Sequence, residues 1–217
     1  MMANLFSVFD PCTGSLSMNW LTLSLFLIVM PLTYWATPNK MMIMINLIFK
    51  LLMKEISTNL TYKGTKLLML GIFSLILINN MMGLLPYVFT STSHMVSSLA
   101  ISLPIWISLM LYGWLNKTNK MFNHLIPNGT PSMLMPFMVI IETSSNIIRP
   151  GSLSVRLTAN MIAGHLLMSL LGNNTNSMLL MISTMIIYLS LMIFELAVSM
   201  IQAYVMMTLT TLYSSEI

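Results

Sequence analysis

The chain has 217 residues, 57% of them hydrophobic and only 6% charged, with a mean hydropathy of +0.86. A soluble domain keeps about a quarter of its residues charged so that its surface stays wet, so this composition excludes one and implies an integral membrane protein. The net charge of +4 does not read as a nucleic-acid footprint, because all seven lysines fall between Lys40 and Lys120 and the first 39 residues hold neither Lys nor Arg; such a distribution reports membrane orientation.

Cys12 is the single cysteine, which rules out a disulfide within the chain and gives no metal-ligand spacing, so neither metal nor cofactor is expected. The opening MMANLFSVFDPCTGSLSMNW lacks the basic region of a secretory signal and the arginines of a transit peptide. No cleavable address is therefore expected, and synthesis beside the destination membrane is. The 26 methionines, with abundant Asn, Ile, Leu, Ser and Thr, fit an AT-rich organelle genome that reads an extra Met codon. Methionine is also a good filler between packed helices.

A spanning helix needs about 20 apolar residues. The first candidate covers about 16–35 and stops at Thr37-Pro38. Residues 38–66 carry Lys40, Lys50, Lys54, Glu55, Lys63 and Lys66 among apolar neighbours and read as an interfacial helix followed by a polar loop. Spans follow at about 67–88 and 96–115, separated by the short polar loop TSTSHM; the loop after them carries Lys117, Lys120 and His124.

Two longer apolar stretches remain, at about 133–171 and 177–213, of 39 and 37 residues. As helices they would each be roughly 55–60 Å long, against a hydrocarbon core of about 30 Å. Pro150-Gly151 could kink or break the first, while no Gly or Pro occurs after Gly172. The turn signal GNNTN at 172–176 favours two long oblique helices joined as a hairpin. The expectation is one all-α, polytopic membrane domain over 1–217, with about five crossings plus the interfacial helix. Five crossings put both lysine-bearing loops on one side with the C-terminus, and the lysine-free N-terminus on the other. The Asn-x-Thr triplets at Asn59, Asn116, Asn128 and Asn173 are read as chance, since three of them fall on the lysine side.

The remaining ionisable residues matter because they lie in apolar surroundings. Asp10 and Glu216 lie near the termini, and His94 and His124 lie in loops. Glu142, Arg149, Arg156, His165 and Glu195 fall inside the two long stretches. An arginine at a helix centre costs about 2.5–3.5 kcal/mol on insertion scales, and such groups face protein or water and mark ion pathways. Glu142 and Arg149 are seven apart, within about 20° of one face; Arg156 continues the stripe if Pro150 only kinks the helix, and Asn160, four further on, lies near it. Tyr188, Glu195 and Gln202 repeat by seven on the last stretch, with Ser199 beside them. His165 lies about half a turn away from Arg156. Plainer readings stand beside these: Glu142–Arg149 as a structural ion pair, and His165 as a satisfied interfacial histidine. Glu195 has no Lys or Arg in its own segment and Arg156 sits mid-segment, so a purely structural role fits them less well.

The segments SVRLTANMIAGHLL (154–167) and FELAVSMIQAYVMMTLTTLY (194–213), with MGLLPYVFTSTSH, IIETSSNIIRPGSLSVRL and the opening NLFSVFDP, resemble subunit a of the rotary F-type ATP synthase, in its mitochondrial animal form and closest in pattern to the arthropod version. The resemblance covers nearly the whole chain. It implies a non-catalytic, proton-translocating stator subunit of the mitochondrial inner membrane, with its N-terminus in the intermembrane space and its C-terminus in the matrix. The partners it implies are a ring of c subunits, a peripheral stalk, small membrane subunits, the bilayer and protons, with no nucleic acid. By matching position, Arg156 is the essential arginine facing the ring. His165 and Glu195 line the inlet half-channel, Asn160 and Gln202 lie close to the arginine, and Glu142 is on the outlet side; Arg149 carries no assigned role.

Physical chemistry agrees on the arginine. A guanidinium keeps its proton, favours the ionised form of an arriving carboxylate, and cannot itself relay a proton between half-channels. Two other classes stay open: a proton-conducting or antiporter-type subunit of another respiratory complex, and a purely structural membrane subunit. An enzyme in its own right is not expected, since no metal cluster, nucleophile motif or phosphate loop is present in the sequence.

Overall fold

The computed structural model describes residues 5–12, 17–30, 37–60, 63–126, 129–173 and 178–216, with the side chains of 63 and 178–180 left undescribed. Among these residues all regular structure is helical: α1 (Met18–Val29), α2 (Lys40–Asn59), α3 (Lys63–Gly83), α4 (Met95–Asn116), α5 (Thr118–Leu125), α6 (Met135–Asn173) and α7 (Met178–Glu216). Short 3-10 turns occupy Leu5–Phe9 and Ser91–Ser93. Four helices, α3, α4, α6 and α7, are long and apolar enough to cross a membrane. The chain is thus an all-α, polytopic membrane protein.

The stretch expected as a first span holds α1, whose first turns are 3-10. Its 12 residues reach about 20 Å, about two thirds of a hydrocarbon core. The end of that expected span, residues 31–35, lies outside the described residues. α1 rests on the α3–α4 connection, where Trp20 packs against Phe89 and His94 at centroid distances of 5.9 and 5.2 Å. α2 carries Lys40, Lys50, Lys54 and Glu55 and is not among the helices apolar enough to cross. It buries Ile56 against the bundle, and its Glu55 carboxylate accepts a hydrogen bond from Tyr204 Oη of α7 at 3.2 Å.

α6 and α7 each run 39 residues, about 58 Å at the α-helical rise. Helices this long must tilt steeply or project beyond a hydrocarbon core of about 30 Å. Pro150 does not break α6; the helix continues through it. The buried positions of α6 (Pro150, Leu153, Ser154, Leu157, Thr158, Met161, Gly164, Met168) recur at intervals of three and four, which is one helix face. Ser152, Val155, Arg156, Ala159, Ala163 and Leu167 on the opposite face are exposed.

The core joins α2, α3, α6 and α7 through Ile56, Met69, Phe73, Ile76, Leu157, Met206 and Met207. Lipid tails are as apolar as these side chains, so association rests on close van der Waals packing and hydrogen bonds rather than on removal of apolar surface from water. The helix contacts are accordingly rich in small residues: Ser154 and Ala203 are fully buried, and Ser98, Ser102 and Ser199 nearly so. The hydroxyls of Ser98, Ser154 and Ser199 are satisfied within their own helices, as where Ser154 Oγ donates to the Gly151 carbonyl at 2.8 Å, while Ser102 Oγ reaches across to the Pro150 carbonyl of α6.

Candidate functional site

Glu195 on α7 is 7% exposed, and its carboxyl lies directly on the backbone of α6 at Gly164, where a β-carbon would run into it. Glycine inside a helix costs about 1 kcal/mol relative to alanine; here it leaves the room in which the carboxyl lies against α6. Among the described residues Glu195 makes no hydrogen bond or ion pair. One position on, the His165 ring lies beside the Gly83 backbone of α3 and meets Phe9 edge-on at 6.3 Å, with its Nε2 buried and unpartnered. Gly83 is itself closely packed: a β-carbon there would stand 3.3 Å from Thr90 and 3.4 Å from Met161. Backbone approach at Gly83 and Gly164 thus draws α3, α6 and α7 together around one carboxyl and one imidazole.

More polar groups line the same convergence. Asn79 and Asn80 on α3 are buried, as are Thr90, Ser91, Thr92 and Ser93 in the α3–α4 connection. Ser199, one turn from Glu195, lies 3.4 Å from the Met81 sulfur. Side-chain atoms of Asn79, Asn80, Thr92 and His94 are buried without hydrogen-bond partners. A cavity of about 250 Å³ opens between α6 and α7 at Leu171, Thr184 and Tyr188. Tyr188 is seven residues, about two turns, from Glu195 toward the end of the bundle away from the lysine-bearing loops.

Arg156 lies near the middle of α6, on its exposed face. It makes no hydrogen bond, ion pair or ring contact among the described residues. The Gly164–Glu195 contact fixes the register of the antiparallel pair. Arg156 is eight residues before Gly164 and Gln202 seven after Glu195, so both stand about two turns from that contact and share a level. Asn160 and Gln202 are half-buried. Along α6, Arg156 is nine residues from His165 and fourteen from Glu142, about 13 Å and 21 Å in opposite directions.

Glu142 belongs to a second cluster at the lysine-bearing end. Its Oε1 lies 3.8 Å from Arg149 Nη2 and 3.7 Å from His124 Nδ1 of α5. Arg149 Nη1 donates to Glu216 Oε2 at 2.7 Å, and its guanidinium lies 4.7 Å from the centroid of the Tyr213 ring. Arg149 thus ties α6 to the end of α7, and Glu142 ties α6 to α5 through His124. The heptad spacing alone aligned Glu142, Arg149 and Arg156 on a single stripe, yet Arg149 turns to the end of α7 and Arg156 does not.

Sequence reasoning passed over several of these groups. Glu216 and His124 were set aside as terminal and loop residues, although an acid at the end of α7 is paired here. Gly164 carried a readable signal, since a helix-interior glycine marks close approach. So did Asn79-Asn80, two amides inside an apolar run outside the two long stretches that hold the ionisable residues. Among the described residues no group of His, Cys, Asp and Glu could hold a metal ion.

A membrane-crossing helical protein with an unpaired central arginine, a buried carboxyl and imidazole on one side of it, and a paired carboxylate on the other, is of the ion-translocating class. The family model described as ATP synthase A chain matches residues 16–215. The chain is 53% identical to ATP synthase subunit a of Aedes aegypti, 54% to that of Drosophila yakuba and 52% to that of Anopheles gambiae, each over 100% of both chains. The chain belongs to the ATP synthase A chain family, as a proton-translocating subunit of the synthase's membrane sector.

Proposed function

We propose that this chain is the stator face past which a ring of c subunits turns, offering it two half-channels that open on opposite sides of the mitochondrial inner membrane. Arg156 faces the ring. His165 and Glu195, with Asn160 and Gln202 near the arginine, carry protons inward from the lysine-free side; Glu142 serves the outlet on the lysine-bearing side. The N-terminus lies in the intermembrane space and the C-terminus in the matrix, in keeping with the positive-inside pattern of the lysines. The peripheral stalk and small membrane subunits hold the chain still, and ATP chemistry belongs to other subunits.

The observation that carries this reading is Arg156 itself: a guanidinium midway along a 39-residue apolar helix, exposed and without a partner among the described residues. A charge so placed costs several kcal/mol unless a counter-charge comes from outside the chain. An acid on a passing rotor helix would supply it. The positive field favours the ionised form of that acid, so its proton leaves for the outlet. The guanidinium, unable to release a proton, bars direct hopping from inlet to outlet. Each charge crossing the membrane potential yields about 2.3 kcal/mol per 100 mV, and the barrier routes that yield into rotation.

On the inlet side the buried, unpartnered polar atoms of Asn79, Thr92, His94 and His165 are groups that bridging water satisfies. Such water would join them to the Glu195 carboxyl. The test is Arg156→Ala in the assembled complex, read as proton-driven ATP synthesis in reconstituted vesicles. Coupled synthesis is expected to be abolished, and Arg156→Lys to restore little of it, because an ammonium in an apolar site can shed its proton. Coupled synthesis surviving in the alanine variant would overturn the reading.

A further inference from the structure

A cavity of about 460 Å³ lies away from the proton site, where the end of α2, the start of α3, the α4–α5 junction and the end of α7 meet. That volume is in the range of small-ligand sites. Lys117 and Lys120 supply two ammonium groups to its wall, and none of its described lining residues is acidic. The two acids nearest in sequence to the lining are engaged elsewhere: Glu216 accepts from Arg149, and Glu55, one turn before Asn59, accepts from Tyr204 Oη. Lys117 is held 5.9 Å from the Tyr112 ring centroid, and the hydroxyls of Ser214 and Ser215 are spent on their own helix, donating to the Thr211 and Leu212 carbonyls. The two ammonium groups are the cationic donors the cavity offers to a ligand's anion.

Leu60, Leu109 and Tyr112 give the same cavity an apolar wall, continuous with the exposed Leu111 and Leu115 of α4. A ligand that suits both has an anionic head and an apolar body, and the site lies at the end of a membrane-spanning helix. The geometry points to a seat for one acidic phospholipid, its phosphate on Lys117 and Lys120 and its acyl chains along α4. Basic pockets between spanning helices take anionic headgroups in this manner. Free inorganic phosphate would use the lysines but leave the apolar wall without a partner, so the lipid is the better fit. Bound there, it would brace α4 and α5 against the end of α7, about which the proton-site reading makes no claim.

The test uses the assembled complex and a photoreactive phosphatidylglycerol, with cross-links mapped to the α4–α5 peptide. In Lys117→Gln/Lys120→Gln the half-labelling concentration should rise roughly thirtyfold, since each lysine contributes about a factor of five at an anionic surface. Lys117→Arg/Lys120→Arg should label as the unmutated complex does. In the unmutated complex, which carries no folding risk, labelling should fall as salt rises, and a photoreactive phosphatidylcholine should label weakly. Equal labelling in the glutamine and unmutated complexes, salt-independent labelling, or displacement of the probe by millimolar inorganic phosphate would each overturn the proposal.

Discussion

At the lysine-bearing end of α6 and α7, Arg149 is bonded to Glu216 at 2.7 Å, stacked on Tyr213 at 4.7 Å and 3.8 Å from Glu142. Toward the other end, Glu195 lies against Gly164 and His165 beside Gly83, with no ion pair for either among the described residues. Seven residues separate Arg149 from Arg156, and the two arginines differ in the same way. A charge whose partners lie within its own chain is already satisfied, and its energy goes into holding helices together. A charge left without partners in an apolar region keeps a high cost that only water, a proton or another chain can relieve. The paired cluster is thus the hinge of the architecture, and the unpaired groups are where exchange with the surroundings takes place.

The largest separation between the two classes should appear when each arginine is removed in turn. Arg156→Ala is expected to abolish coupled synthesis, while the paired arginine should be far more tolerant of loss. Next comes Glu195→Gln, which keeps size and burial but removes the titratable group. Passive proton flux through the membrane sector should fall on the order of a hundredfold, the lower end of what a positioned proton carrier contributes, with assembly intact. Unchanged flux, read with a pH dye in vesicles carrying a potassium-driven potential, would take Glu195 out of the path.

A smaller effect is expected from Gly164→Ala, which separates the position of that carboxyl from its presence. The new β-carbon would collide with the Glu195 carboxyl, the far end of a flexible side chain, so the helix pair should survive while the carboxyl swings aside. Misplacing a reacting group by about an ångström is enough to cost about tenfold or more in rate. Flux down about tenfold with normal assembly is therefore the expected result. Flux at the unmutated level in a complex that assembles normally would mean that the Gly164 contact positions nothing.

The long apolar runs behind α6 and α7 were readable because their length far exceeds a simple crossing and GNNTN is the one turn signal between them. The polar stripes were readable because ionisable residues in such runs are rare. What the pattern could not separate was Arg149 from Arg156. Heptad spacing places both on one face but does not say where a neighbouring helix ends, and the end of α7 reaches only the first. Proline at 150 was ambiguous for a similar reason: its effect depends on whether neighbours hold the helix together, and here Ser102 Oγ of α4 donates to the Pro150 carbonyl at 3.5 Å. The TSTSH segment read as an ordinary polar loop, yet residues 90–93 are buried. Serine and threonine can satisfy their own backbone: Ser93 Oγ donates to the Thr90 carbonyl at 2.7 Å, and Ser97 Oγ to the Ser91 carbonyl at 2.6 Å. A polar string therefore need not stay at the surface.

The smallest expected effect, and the sharpest check on the comparison, is Arg149→Gln. The side chains of Arg149 and Glu216 are 24% and 39% exposed, so water screens the pair and the ion pair contributes no more than about 1 kcal/mol. The ring contact adds roughly another 0.5–1 kcal/mol. Losing both should loosen the last two turns of α7, where Tyr213 and Glu216 sit, without unfolding the bundle. Amide exchange over residues 209–216 should then quicken by roughly tenfold, since 1.4 kcal/mol is one decade in the opening equilibrium. Proton-driven synthesis should keep about half or more of its rate, because the screened pair carries so little energy. The two readouts must part company in this variant, whereas in Arg156→Ala they should part in the opposite sense, with the end of α7 protected as before and synthesis gone. If Arg149→Gln instead stopped synthesis with exchange unchanged, pairing would be no guide to role, and the division between satisfied and unsatisfied charge drawn along this helix pair would fail.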